Sequence, residues 1–273
     1  MNFGLIIIGD EILSGKRQDK HLPKVIELLG ARGLSLGWMR CVGDDPQRIT
    51  SDLSDAFAAA KAHGDVVFSC GGIGATPDDH TRQCAARALG VPLSLHPQAR
   101  DLILERMRDM AAEQGQPFDP DRADNAHRLN MAVFPEGAEI IPNPYNKIAG
   151  FSVRAGEGGV HFVPGFPVMA WPMIESVLDQ RYAHLHRSEA QREQSVIVFG
   201  TMEATLTPLM QAIEVQFSDV KVFSLPCVDH PSWGGHIELG VKGYSQDVVA
   251  AAYAQLMTGL RALGAQLGPE LVR

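Results

Sequence analysis

The sequence predicts an α/β domain built on a parallel sheet, followed by a small α+β domain. Three observations lead there. Strand, loop and helix patterns repeat three times before Gly90, the order of a parallel sheet with right-handed crossovers. Each of those strands ends in a loop rich in Gly and Asp. From about Arg192 the order changes to strand, helix, strand, strand, helix.

Residues 3–8 are a continuous apolar run rich in β-branched residues, which reads as a central strand. Gly9 and Asp10 follow at its end, where α/β sheets collect ligand groups. Asp10 and Glu11 read equally as plain loop acids. Residues 18–32 place Leu22, Val25, Ile26 and Leu29 at helical spacing, and Gly33 stops the helix. Residues 34–42 are the second strand. Asp45 and Pro46 then supply an N-cap and first helical position, with Asp44 just past the strand. Ile49, Leu53, Phe57 and Ala60 give that helix its apolar face.

The third unit carries the chemistry. Val66, Val67 and Phe68 form a buried strand, and Gly71, Gly72 and Gly74 follow within four residues. Strand, Gly-rich turn and helix aim backbone N–H groups at an anion, aided by the helix dipole. Thr76 reads as the cap of the next helix, Pro77 as its first residue, and Asp78 and Asp79 as its first turn. First-turn acids answer the dipole. Beside an anion loop they also suit a divalent metal or a general acid/base. The loop is neither a P-loop nor a dinucleotide fingerprint. Parallel topology brings Asp10, Asp44 and the 71–79 loop to one sheet edge.

Beyond it, residues 91–95 read as a short edge strand, 97–114 and 121–131 as helices, and 134–141 as a turn and strand. Residues 143–150 form a loop, 151–154 and 160–163 a hairpin with a Gly-rich turn, and 168–187 a helix. The polar run HRSEAQREQ at 186–194 is the linker. Domain one therefore covers 1–185 and domain two 195–273. The latter holds strands at 195–199, 220–225 and 236–241 with helices at 204–217 and 247–263.

The 273 residues are 45% hydrophobic, with a formal charge of 24 − 32 = −8. No block of five or six basic residues occurs, which disfavours nucleic acid as a partner. Cys41, Cys70, Cys84 and Cys227 show neither C-x-x-C nor zinc spacing, so reduced thiols are expected. No signal peptide and no membrane-length apolar segment is visible, so a cytoplasmic protein without membrane contact is expected. The pairs His184/His186 and His230/His236, His80 and Trp233 carry no metal or catalytic pattern, and no Ser-His-Asp set has a supporting motif.

GDEILSG at 9–15, VGDD at 42–45 and GGIGATPDD at 71–79 followed by Thr81 resemble the molybdopterin-binding domain family of the MogA and MoeA type. Together with MAVFPEGAEII at 131–141, AGF at 149–151 and VPGFP at 163–167, they are most similar to the N-terminal domain of the CinA (competence/damage-inducible protein A) family. The resemblance covers roughly residues 3–175. It implies a three-layer α/β/α fold that binds pterin or nucleotide phosphates at the strand C-termini. It also implies that Gly9, Gly71, Gly72, Gly74 and Thr76 cradle a phosphate-like group, and that Asp79 is the functional acid, with Asp10 and Asp44 nearby. The second domain resembles the small KH-like domain of that family, and no deamidase domain is expected after it. Its G-x-x-G string at 240–243 follows a strand, and residues 192–273 hold 5 Lys/Arg against 8 Asp/Glu, so RNA binding is not expected.

The chain departs from the family pattern at Asn146-Lys147-Ile148-Ala149, where Gly-Thr-Ala-Pro is usual, and at Met169, where Glu is usual. Lys147 reads either as a cation offered to a phosphate or as a solvated loop lysine. Three functions follow. As an enzyme, the first domain would hydrolyse an ADP-ribose-type pyrophosphate with Mg²⁺, Mn²⁺ or Co²⁺ on Asp10, Asp44 and Asp79. As a binding module, it would hold molybdopterin or a nucleotide without chemistry. As a scaffold, the second domain would build a homo-oligomer.

Overall fold

The computed structural model describes residues 1–119, 123–187 and 191–272. They form two compact units, Met1–His186 and Arg187–Arg273. The start of the expected helix at 121–131 and the middle of the expected linker at 186–194 lie outside the described residues.

The first unit runs β1 (Phe3–Ile8), α1 (Asp10–Leu13), α2 (His21–Gly30), β2 (Leu36–Val42), α3 (Pro46–His63), β3 (Val66–Cys70) and α4 (Thr81–Leu89). It continues through β4 (Leu93–Leu95), α5 (Pro97–Glu113), α6 (Ala123–Leu129), β5 (Val133–Pro135), β6 (Glu139–Ile141), β7 (Gly150–Ala155), β8 (Gly158–Val163) and α7 (Pro167–Arg181). Six strands form one sheet in the order β2-β1-β3-β8-β7-β6. β2, β1, β3 and β8 pair in parallel, and β7 runs antiparallel to β8 and β6.

β1 lies inside the sheet and is buried at all six residues. Its side chains alternate between two cores, as a strand covered on both faces requires. Ile6 and Ile8 pack with Ile49, Leu53 and Phe57 of α3 and Ile103 of α5. Leu5 and Ile7 pack with Val25 and Leu29 of α2 and Ile174 and Leu178 of α7. This is the three-layer α/β/α arrangement with a mostly parallel sheet. α3 shows how local signals set its ends. The Asp45 carboxylate accepts from the Arg48 N–H at 2.7 Å, Pro46 opens the helix, and Gly64 closes it at φ 70°.

Several elements differ from expectation, and the short helix α1 stands where a loop was expected. Residues 134–141 are two short strands, with β5 leaving the main sheet to pair with β4. Phe134 carries the link back, since its ring lies 4.8 Å from Phe151 and Phe151 lies 4.3 Å from Phe162, both stacked. α4 also starts at Thr81 rather than after Thr76. Residues 76–79 form a separate turn, in which the Asp79 N–H donates to the Thr76 carbonyl at 3.1 Å.

The second unit runs β9 (Arg192–Phe199), α8 (Glu203–Gln216), β10 (Lys221–His230), β11 (Gly234–Gly243), α9 (Gln246–Ala262) and β12 (Gln266–Val272). Its antiparallel sheet has the order β10-β11-β9-β12. Leu206 and Ile213 of α8 and Val249, Leu256 and Leu260 of α9 pack on Val196, Val198, Leu239 and Val241. Residues 240–243 lie within β11. β12 was not expected. Pro269 interrupts its pattern, and the register with β9 shifts between Leu267 and Glu270, which is how an edge strand accommodates Pro. All four cysteines are free, and among the described residues no helix is long and apolar enough to cross a membrane.

Candidate functional site

The C-terminal ends of β1, β2, β3 and β8 deliver their loops to one edge of the main sheet, as parallel pairing demands. There they enclose a cleft of about 400 Å³. Gly9, Asp44, Gly71, Gly72, Gly74, Thr76 and Asp79 all line it, together with Glu11, Arg17, Asp78, Asn146, Phe166 and Met169. Asp10 and Lys147 do not. Asp10 lines a shallower depression next to it, with Lys16 and Asp78.

The 71–79 loop is held at both ends and in the middle. The Gly71 N–H donates to the Val163 carbonyl at 3.1 Å, so the loop continues the β3–β8 ladder for one step. Ile73 is buried in the α3-side core. Arg82 on α4 is 4% exposed and forks onto the loop, donating to the carbonyls of Ile73 at 2.9 Å and Gly74 at 2.7 Å. Burial lowers the Arg82 pKa, and the nearby Asp79 charge opposes that shift. The Asp79 carboxylate closes the far end by accepting from the Thr76 N–H at 2.8 Å and the Thr76 hydroxyl at 2.5 Å.

The glycines serve this packing. Gly71 sits at φ 108° and Gly72 at φ 68°. A Cβ on Gly71 would collide with the Ile8 carbonyl, and one on Gly72 with the Thr81 hydroxyl. Both residues are Gly because the loop folds tightly against β1 and α4.

Between the anchored ends, among the described residues, the N–H groups of Gly72, Ile73, Gly74 and Ala75 donate to no acceptor in the protein. All four residues line the cleft. A run of unpaired backbone N–H groups is the kind of feature that holds an anion, and the 76–79 turn separates this run from α4, which begins at Thr81.

The surrounding charge is mostly negative. Asp44, Asp78, Asp79 and Glu11 line the cleft, against Arg17 as the one cation among its described lining residues. Arg17 Nη1 lies 3.9 Å from Glu11 Oε1, and its guanidinium lies 5.9 Å from the Phe166 ring centroid. Burial raises the Asp44 pKa, the Asp10 N–H opposes this, and the charges of Asp10, Glu11 and Asp78 raise it further. Arg17 and Phe166 were not foreseen. The available signals were the basic pair Lys16-Arg17 directly after the first loop and an aromatic residue in the turn after β8.

The carboxylates are engaged with backbone. The Asp10 N–H donates to Asp44 Oδ2 at 2.9 Å, and the Asp44 N–H donates to Asp10 Oδ1 at 3.2 Å. Among the described residues no group of three or more His, Cys, Asp or Glu is placed to hold a metal. Asp10, Asp44 and Asp79 are thus not gathered into one metal-binding group among the described residues. Lys147 is turned to α5, with Nζ 2.7 Å from Glu105 and 2.6 Å from Asp109. Its neighbour Asn146 faces the cleft and donates to the Met169 sulfur at 3.2 Å.

Comparison with known proteins agrees with this architecture. A crystal structure of the protein CinA with unknown function from Thermoplasma acidophilum superposes with a TM-score of 0.53 at 25% identity, over 66% of this chain and 96% of that one. A CinA-like protein of Anaeromyxobacter dehalogenans is 35% identical over 168 residues, which is 62% of this chain and 38% of the relative. A CinA-like protein of Citrifermentans bemidjiense is 32% identical over 231 residues, 85% of this chain and 52% of the relative. The chain thus spans about half or less of the length of these curated relatives. The sequence profile described as "Probable molybdopterin binding domain" matches residues 4–184, the whole of the sheet and cleft just described, and the chain belongs to that molybdopterin-binding domain family.

Proposed function

We propose that the first unit binds the phosphate end of a molybdopterin-like or nucleotide-like small molecule, and that it does so without hydrolysing it. The observation that carries this reading is the run of four unpaired amides in residues 72–75, which line a ligand-sized cleft. Membership of the molybdopterin-binding family supports the ligand class. Arg17 offers a charge-assisted bond to a phosphate oxygen, and the Thr76 turn fixes the end of the cradle.

The pyrophosphatase reading needs carboxylates free to hold a metal or activate water. Asp10, Asp44 and Asp79 are not gathered into one metal-binding group among the described residues, and Met169 stands where the family pattern has Glu. Binding alone is therefore the better reading. Calorimetric titration of pyrophosphate and ADP-ribose tests it on the wild type and on Ala75→Pro, which deletes one N–H of the cradle. The variant should bind both ligands at least fivefold more weakly while keeping the wild-type circular dichroism. Equal affinities would refute the site. Metal-dependent turnover of ADP-ribose, abolished in Asp79→Asn, would refute the claim that no chemistry occurs.

A further inference from the structure

The loop between β6 and β7 carries a chain of amide bonds that ends in the cleft. Asn143 is 4% exposed. Its Nδ2 donates to Asn146 Oδ1 at 2.8 Å and to the Ile148 carbonyl at 3.0 Å, and its Oδ1 accepts from the Tyr145 N–H at 3.0 Å. Asn146 Oδ1 accepts a second bond, from the Ile148 N–H at 3.0 Å. Both lone pairs of that oxygen are then used, which fixes the sense of the Asn146 amide. Its NH2 group is left for the cleft. One N–H meets the Met169 sulfur at 3.2 Å, a weak acceptor, and among the described residues the other meets none. Asn146 and Met169 both line the cleft. Both also stand where the chain departs from the family pattern, and the two departures touch each other. Together they present a donor and no charge.

The next residue holds this arrangement. Lys147, at φ 65°, is the one residue other than Gly with a positive φ among the described residues. A Cβ disfavours that backbone, which persists only where its surroundings over-determine it. Here they do. The Lys147 N–H donates to the Asn143 carbonyl at 3.1 Å. Its Nζ donates to Glu105 at 2.7 Å and to Asp109 at 2.6 Å, which are one turn apart on α5. Two consecutive side chains are thus sent to different places, Lys147 to α5 and Asn146 to the cleft.

Resting on the binding reading above, we infer that Asn146 is a ligand-contacting donor of the cleft and that Lys147 is its positioning residue. The two ion pairs to α5 hold the strained turn that aims the Asn146 amide. A ligand oxygen, a stronger acceptor than a thioether, takes the place of the Met169 sulfur. Lys147 itself touches no ligand.

Calorimetry on the full chain tests this with pyrophosphate and ADP-ribose, following whichever the wild type binds more tightly. Asn146→Asp keeps the oxygen that Asn143 and Ile148 bond and replaces the donor with a negative charge. It should weaken the probe at least tenfold with the wild-type circular dichroism retained. Asn146→Ala should weaken it about fivefold, the scale of one hydrogen bond, and Lys147→Ala about threefold. Lys147→Arg, which keeps a cation for α5, should stay within twofold of the wild type. The double variant Asn146→Ala/Lys147→Ala should bind no more weakly than Asn146→Ala alone, because nothing is left to position. A loss at Lys147 that adds in full to the loss at Asn146 overturns the positioning role. Wild-type affinity in Asn146→Asp overturns the contact, and the amide cradle at residues 72–75 then stands without it. If the wild type binds neither probe, both readings fall together.

Discussion

Asp10 and Asp44 hold each other's backbone. Each carboxylate accepts the other residue's N–H, at 3.2 Å for Asp10 Oδ1 and 2.9 Å for Asp44 Oδ2. Two loops that follow neighbouring parallel strands are thereby locked at one rim. The arrangement brings two acids together, and burial raises the Asp44 pKa above its ordinary 3.8.

The sign of the pH effect follows. A carboxyl with a raised folded pKa stabilises the fold fully below its unfolded value, and that contribution is lost as pH rises through the folded value. Asp44→Asn keeps an oxygen for the Asp10 N–H and has no charge to lose. Its melting temperature should gain on the wild type as pH rises from about 4 to 7. Asp44→Ala, which also removes the acceptor of the Asp10 N–H, should show the same pH trend and lie below Asp44→Asn by about 0.5–1 kcal/mol at every pH. A pH-independent difference between wild type and Asp44→Asn, read by thermal melts, would refute the assignment.

Gly72 separates backbone strain from collision. Gly72→Ala places a Cβ at φ 68° and against the Thr81 hydroxyl, which itself donates to the Gly71 carbonyl. Gly137→Ala meets the same kind of backbone, at φ 84°, with nothing within 4 Å of its Cβ. We expect about 1 kcal/mol lost at Gly137 and about 3 at Gly72. Similar losses at the two sites in urea unfolding would mean that the loop yields freely.

His161 makes a second pH prediction, of opposite sign. It is fully buried in β8, between the Ser152 hydroxyl at 2.8 Å and the Tyr182 hydroxyl at 2.8 Å. Burial, with smaller contributions from Arg181 and Arg154, pushes its pKa down from 6.5 to about 3. The folded protein therefore refuses a proton that the unfolded chain accepts, and stability falls as pH drops from about 6.5 towards 3. The slope is at most about 1.4 kcal/mol per pH unit. His161→Gln should flatten that slope by one proton in urea midpoints at pH 7, 5.5 and 4.5. An unchanged slope would place the titration elsewhere.

The parts of the fold legible in the sequence are those set locally. The unbroken apolar run of β1, the Asp45-Pro46 start of α3 and the Gly-rich loop after β3 each carry their own signal. What was misread depends on contacts that the residue pattern does not report. Thr76 and Pro77 look like a helix start, but the Asp79 carboxylate turns back to Thr76 and α4 begins only at Thr81. Lys147 looks available to a phosphate until α5 brings Glu105 and Asp109 to it. Phe166 reaches the cleft because β8 pairs with β3, and no pattern within its own turn reports that pairing. Local signals thus place the loops, and the sheet register decides which side chains meet.

Arg82 shows what that register demands of one side chain. It lies outside the cleft's lining, is 4% exposed, and bonds the carbonyls of Ile73 and Gly74. Holding those carbonyls turned to α4 leaves the amides of the same loop free for a ligand. Burial costs the guanidinium, and Asp79 is the charge that offsets it. Arg82→Lys keeps the charge but cannot fork to two acceptors. We expect it to lose about 2 kcal/mol of stability and to weaken pyrophosphate binding about tenfold. Ala75→Pro, by contrast, should weaken binding with less loss of stability, because it deletes a donor and leaves the clamp intact. If Arg82→Lys binds pyrophosphate as the wild type does, the amides do not depend on the clamp, and the loop holds its shape through Ile73 and the Asp79 turn alone.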